Sequence, residues 1–175
     1  MSGSRKIEEL NRIFASVNKE KSRKLLIDLG IDKYLGIKNM DSIIMCDDII
    51  GIWSQLELVD EYPMSKSEKE LINNIREMLK MDIDKYSVYK YGLYVSTVVG
   101  SIKGISYKKI NNIYKNLEIY SKKDININAN DIIKILNREP GNYLKEILSD
   151  IEVKIINGEV NNEYDSLSNY VKSKY

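Results

Sequence analysis

Arg138, Pro140, Gly141 and Lys145 are spaced as the parts of an anion site would be. Proline suits the first turn of a helix, where its missing N–H costs nothing, and a glycine beside it leaves backbone amides open to a ligand. In NREPGNYLKEIL, Asn137 to Leu148, the pair stands directly before a strong amphipathic pattern. Gly141, Asn142 and Tyr143 would then offer the positive end of a helix, with Lys145 one turn along and Arg138 just before it. The chemistry on offer is phosphate binding. A plain turn into a helix accounts for the same residues, and both readings stand at this point.

Much other chemistry is excluded. The chain has no histidine and one cysteine, Cys46. Ser-His-Asp triads, Cys-His dyads, internal disulfides and cysteine-type zinc sites therefore fall away. The acidic pair Asp47-Asp48 reads either as carboxylates for a hard cation or, more simply, as a solvated helix start. No glycine-rich phosphate loop and no paired carboxylates with a base are seen. No catalytic residue, metal site or cofactor is assigned to this chain.

Charge is distributed in blocks although the net charge is +1. Residues 1–40 carry nine basic and five acidic side chains, and residues 41–84 four basic and eleven acidic. Residues 101–138 hold eight basic against three acidic, and residues 139–170 two against seven. A polyanion-facing surface needs local rather than overall positive potential, so such blocks suit nucleic acid, while ordinary mixed surface charge is the simpler alternative. Of the thirteen tyrosines, Tyr86, Tyr89, Tyr114 and Tyr170 fall where helical spacing wants core, as does Trp53. Tyr107 and Tyr120 flank lysines in less regular sequence and are candidate nucleic-acid contacts.

These side chains must be positioned by helices. Strand signals are scarce and apolar spacing of three and four recurs, which predicts an all-α fold, an irregular multi-helix array. Ile7, Leu10, Ile13, Phe14 and Val17 share a face from about Arg5 to Val17, and Leu25, Leu26 and Leu29 mark a second helix closed by Gly30. A third spans roughly Asp47 to Val59, with Pro63 stopping it, and Ser65 with Glu68 forms a capping box for a fourth whose buried face is lined by Leu71, Ile72, Ile75, Met78 and Leu79. Asp84 to Gly100 reads as a buried helix whose Gly92 allows close packing, with a strand over Val95 to Val99 as the other reading. Ser106 to Asn116 is a short basic helix, and the periodicity then lapses to Asn128. Asn130 is the expected cap of a helix with Ile132, Ile133, Ile135 and Leu136. Next comes the amphipathic helix of Leu144, Ile147, Leu148, Ile151, Ile155 and Ile156, closed by Gly158. Asn162 is expected to cap the last helix. No apolar run reaches the roughly 18 residues of a membrane span, and MSGSRKIEEL lacks a secretory signal, so no membrane contact and a cytoplasmic location are expected.

From Ile110 onward the chain resembles the C-terminal tail of bacterial CCA-adding tRNA nucleotidyltransferases. Asn116 to Ile135, NLEIYSKKDININANDIIKI, is similar to that family's run of Leu-Pro-Ile, Ser-Lys-Asp-Leu and Asn-Gly-x-Asp-Leu. Glu139 to Leu167 follows its Pro-Gly-Pro-Trp, amphipathic helix and Asn-Gly-x-hydrophobic-x-Asn-Glu pattern. Upstream, KYSVYKYGLYVSTVV looks like the Tyr-Gly-Leu helix of the body, while SRKIEELNRIF and KLLIDLGIDKYL resemble the helices after the neck. The departures are Pro140-Gly141-Asn142-Tyr143, Asn128-Ala129-Asn130-Asp131 and Leu117-Glu118-Ile119. The family's head and neck set, Gly-Gly with Arg-Asp, an Asp-x-Asp metal pair and Glu-Asp-x-x-Arg, is not found.

The resemblance implies a body-like helical region over 1–116 and a tail-like tRNA-binding region over 117–175, without the catalytic head. Such a region would grip the tRNA elbow and the acceptor and T-stem backbone while the head, with its Mg2+, adds CCA to the 3′ end. The parent would be a transferase of tRNA processing, the chain itself non-catalytic. Lys108, Lys109, Lys122 and Lys123 are then the expected phosphate contacts, with Arg138, Gly141, Asn142, Tyr143 and Lys145 at the helix start. The competing reading is a non-enzymatic helical scaffold or oligomerisation module, whose blocks of opposite charge would pair in a homo-oligomer.

Overall fold

Apolar residues three and four apart fold as helices almost throughout, and the protein is all-α. The computed structural model describes residues 3–58 and 62–175. Its helices are α1 (Gly3–Phe14), α2 (Lys19–Asp28), α3 (Ile31–Tyr34), α4 (Ile49–Gln55), α5 (Lys66–Leu79), α6 (Lys85–Ile102), α7 (Tyr107–Lys115), α8 (Ala129–Leu136), α9 (Tyr143–Ile156) and α10 (Tyr164–Lys174). Among the described residues, β pairing outside strands amounts to one bridge, Ile37 to Leu58. No helix among them is long and apolar enough to cross a membrane.

Two compact units divide the chain. The first comprises residues 1–83 and 94–110, the second 84–93 and 111–175. In the first, Leu10 and Phe14 of α1 and Ile52 and Trp53 of α4 are buried together with Leu35, Ile37, Met40 and Ile72. Trp53 sets its ring 5.6 Å from Phe14 and 5.3 Å from Tyr62. Its indole N–H donates to Asn11 Oδ1 at 2.7 Å, so the largest side chain of this core is buried without an orphaned donor. Asp48 caps α4 by accepting the Gly51 amide at 2.8 Å, and Ser65 with Glu68 closes the expected capping box on α5. Gly30 takes its left-handed torsion (φ 65°) just after α2.

Several local expectations are corrected. The first helix stops at Phe14, and Val17, 98% exposed, lies in the following turn rather than on the buried face. The third ends at Gln55, and Val59 lies outside the described residues. Val95 to Val99 is helical, not a strand. Gly92 is not a packing glycine: its φ of 76° and ψ of 171° break α6 into two helical stretches, and a Cβ there would meet nothing within 4 Å. The close approaches belong to Gly51, whose added Cβ would lie 2.7 Å from Val98, and Gly100, where it would lie 2.0 Å from Ile110 Cδ1.

The second unit is built on α9. Ile147, Ile151, Ile155 and Ile156 are buried with Ile119, Ile127, Ile132 of α8 and Leu167 and Val171 of α10, and Tyr86, Tyr89 and Tyr170 pack against them. The cap of α8 is Asn128 rather than Asn130. Its side chain accepts the amides of Asn130 and Asp131, and Asp131 answers to the Asn128 amide, which only a residue three before the acid can arrange. α9 ends in a Schellman turn, with Glu159 N donating to Lys154 O and Gly158 N to Ile155 O. Asn162 does not cap α10. Glu163 occupies that position, and the Asn162 side chain is spent on the loop before α8.

Candidate nucleic-acid interface

The segment between α7 and α8 has no periodicity, yet it is pinned at every few residues. Leu117, Ile119 and Ile127 are buried. Between them Ser121 to Asp124 forms one 3-10 turn closed by its own capping box. Asp124 Oδ2 accepts the amides of Tyr120 and Ser121, each at 2.8 Å, and these donors hold its carboxyl below the usual carboxylate range. Asn162 Oδ1 accepts the Asn126 amide at 2.9 Å, its Nδ2 donates to Asp124 O at 2.7 Å, and Asn126 Nδ2 donates to Asn162 O. A loop with this many main-chain ties can present side chains in fixed directions.

Lys122 and Lys123 stand exposed on that turn with different commitments. Lys122 Nζ lies 3.1 Å from Glu152 Oε2, whereas Lys123 has no ion-pair partner among the described residues. Glu152 is 8% exposed on α9, and its other oxygen accepts the Tyr89 hydroxyl at 2.6 Å. Burial and this bond push the Tyr89 phenol up. The sequence signals the turn and the need for a partner, not which partner: Ser121-Lys122-Lys123-Asp124 is a capping-box spacing, and Glu152, set among Leu148, Ile151, Ile155 and Ile156, calls for a donor.

The turn into α9 departs from the expected geometry. Asn142 is the residue before the helix and has helical torsions with no side-chain cap bond, so Pro140 stands two residues ahead of it, outside the first turn. The amides of Leu144 and Lys145 already bond to the oxygens of Gly141 and Asn142, so they are turned inward. Arg138, Gly141, Asn142 and Lys145 are exposed and Tyr143 is half-buried. Arg138 and Tyr143 are brought together: the Tyr143 hydroxyl donates to Arg138 O at 3.3 Å, and Arg138 Nη2 donates to the main-chain oxygen of Tyr175 at 3.0 Å. Asn137, at φ 49°, makes the reversal after α8 that carries Arg138 to this end.

Lys108 and Lys109 sit exposed in the first turn of α7, within the first unit, while the other seven candidate residues belong to the second. Tyr107 is exposed beside them, and Tyr114 pairs with Tyr120 at 5.1 Å between ring centroids. Among the described residues, no group of three or more Asp, Glu or Cys side chains converges as a metal site. Within the second unit, the exposed side chains of Lys122, Lys123 and Tyr120 thus stand on one ordered turn, and those of Arg138, Asn142 and Lys145 around the start of α9.

The family described as tRNA nucleotidyltransferase domain 2 matches residues 55–171. A CCA-adding enzyme of Staphylococcus haemolyticus is 27% identical over a match covering 98% of this chain and 51% of that protein. One from Staphylococcus saprophyticus is 30% identical over 62% of the chain and 31% of the relative, and one from Bacillus cereus 26% identical over 56% and 27%. A crystal structure of the Bacillus stearothermophilus CCA-adding enzyme in complex with CTP shares the fold, with a TM-score of 0.81 at 16% identity, over 99% of this chain and 52% of that one. The chain thus spans about half the length, or less, of the relatives it matches.

Proposed function

The chain belongs to the tRNA nucleotidyltransferase domain 2 family, and from that membership we propose that it is a tRNA-binding region of a CCA-adding system. In this reading it holds the tRNA elbow and the acceptor and T-stem backbone, while a catalytic head with its Mg2+, supplied from outside these residues, adds CCA to the 3′ end. No cofactor is assigned to this chain, and the site of action is the cytoplasm. The observation that carries the reading is that the family match runs through every candidate contact, from Lys108 to Lys145. Eight of eleven charged residues between 101 and 138 are basic, and Lys123, Arg138 and Lys145 are exposed around ordered turns. A-form RNA shows proteins its backbone and shape more readily than its base edges, so a surface of this kind grips without reading sequence. Phosphate contacts would come from Lys123, Lys145, Arg138 and the start of α9 at Gly141, Asn142 and Tyr143. Lys122 and the α7 pair Lys108 and Lys109 are further contacts.

The experiment is binding of the 175-residue chain to a tRNA transcript across a salt series. Affinity should fall steeply with salt, and Lys123→Ala should lower the slope by about one, as one phosphate contact does. Undetectable binding at low salt, or affinity equal to that for unstructured RNA, would reject the reading. A scaffold or oligomerisation role has one observation in its favour: Leu25, Leu29 and Tyr34 stay largely exposed in the first unit. It predicts a stable homodimer by light scattering and no tRNA affinity.

A further inference from the structure

Tyr120 is 51% exposed, a large aromatic residue held at the surface by its neighbours. Ile119 before it is fully buried and anchors the chain. The amides of Tyr120 and Ser121 donate to the Asp124 carboxylate at 2.8 Å each, and the Ser121 hydroxyl accepts the Lys123 amide. The backbone therefore has little freedom to fold the ring inward. Tyr114, in the last turns of α7, meets the ring at a 5.1 Å centroid distance and a 59° interplanar angle, steadying it from one side while about half of it stays open to solvent. Lysines flank both rings in sequence: Lys115 follows Tyr114, and Lys122 and Lys123 follow Tyr120. An exposed aromatic face of fixed direction among cations is the arrangement that takes a nucleobase on its π face while phosphates meet the charges.

We propose that Tyr120, backed by Tyr114, is a stacking platform for an exposed nucleobase of a folded RNA. The proposal rests on the tRNA-binding reading and adds a contact of a different chemical kind from the phosphate contacts already described. Stacking is indifferent to salt and needs a flat ring, so it separates cleanly from phosphate binding and from simple packing.

The test uses the full chain with a tRNA transcript and with a T-arm hairpin carrying 2-aminopurine in its loop. Tyr120→Phe should bind within about twofold of the parent, while Tyr120→Ala and Tyr120→Leu should each lose about tenfold, since one base–aromatic stack is worth about that much. The salt slope should not change in any of the three. Quenching of 2-aminopurine by the parent and by Tyr120→Phe, absent in Tyr120→Leu at saturating protein, would mark stacking; unchanged circular dichroism shows that the fold is intact. A chain that binds tRNA equally well with leucine or alanine at 120 overturns the platform and leaves the tRNA-binding reading standing. A parent chain that does not bind tRNA at low salt overturns both.

Discussion

Lys122 Nζ stands 3.1 Å from Glu152 Oε2, and the same carboxylate accepts the Tyr89 hydroxyl through its other oxygen at 2.6 Å. A mostly buried acid on α9 is thus satisfied by one phenol and one surface lysine, so the turn that carries Lys122 is tied electrostatically to the core helix. Two adjacent lysines are thereby given different work. Lys122→Ala leaves Glu152 with one partner and should cost about 1 kcal/mol of stability, toward the upper end for a pair with one exposed member. Lys123→Ala should leave stability within about 0.5 kcal/mol and weaken tRNA binding more than Lys122→Ala does. Urea denaturation and RNA binding on the two variants check both halves, and equal effects on both readouts would show that the pairing does not separate them.

Gly92 and Gly100 are predicted to fail in opposite ways. At Gly92 the torsions, φ 76° and ψ 171°, lie where essentially only glycine goes, so Gly92→Ala should cost about 1–3 kcal/mol although space is open. At Gly100 an added methyl would sit 2.0 Å from Ile110 Cδ1, a steric conflict of similar size, about 1–3 kcal/mol. Shortening the clashing side chain separates the two. Ile110→Val should recover part of the loss of Gly100→Ala and none of that of Gly92→Ala in a double-mutant cycle read by urea midpoints.

The contrast between these glycines also shows what the sequence made legible. Apolar spacing located the long helices because burial of one face is written into residues three and four apart, and the Ser65/Glu68 box, Gly30 and Gly158 were readable because capping is a local geometry. Gly92 was misread because a helix-spaced pattern continues across it, and nothing local distinguishes a glycine kept for its torsion from one kept for its size. The two asparagine caps differ in the same way: Asn128 stands three residues before Asp131, so the cap of α8 is written locally, whereas Asn162 is taken from the start of α10 by Asn126, 36 positions away. Of the candidate site, the residue types were readable and the pairings were not, since Lys122 with Glu152 and Tyr114 with Tyr120 arise from tertiary packing.

Tyr94 sets an alkaline limit on the first unit. Its hydroxyl donates to Asp48 Oδ2 at 2.9 Å, and burial together with that carboxylate pushes the phenol up to about 12. In the unfolded chain a tyrosine ionises near about 10. The folded form therefore holds its proton more tightly, and the contribution is fully present below about pH 10 and lost as pH rises toward about 12. Urea midpoints followed from pH 8 to about 11.5 should fall more steeply for the parent than for Tyr94→Phe, and parallel curves would show that Asp48 does not hold this proton.

Asp150 should carry the end of α10. Its Oδ2 accepts the hydroxyls of Tyr170 at 2.6 Å and Tyr175 at 2.9 Å and the ammonium of Lys174 at 2.8 Å. Burial alone would raise this carboxyl, but the three donors together outweigh it and hold it below its ordinary value, while Lys174 is pushed up by the same contact. A depressed carboxyl stabilises above its unfolded value near about 4 and loses that contribution as pH falls through the folded value, so the clasp opens in acid. Asp150→Asn keeps the shape and removes the charge, and should cost about 2 kcal/mol, the scale of hydrogen bonds to a charged group. Because Lys174 acts through the same oxygen, Lys174→Met added to Asp150→Asn should cost much less than it does alone. Amide exchange is the direct readout. Protection at the end of α10 should drop in Asp150→Asn at neutral pH and converge with the parent only once pH has fallen through the depressed folded value, below the ordinary carboxylate range, whereas equal protection at neutral pH would show that α10 is held by Leu167 and Val171 without the clasp.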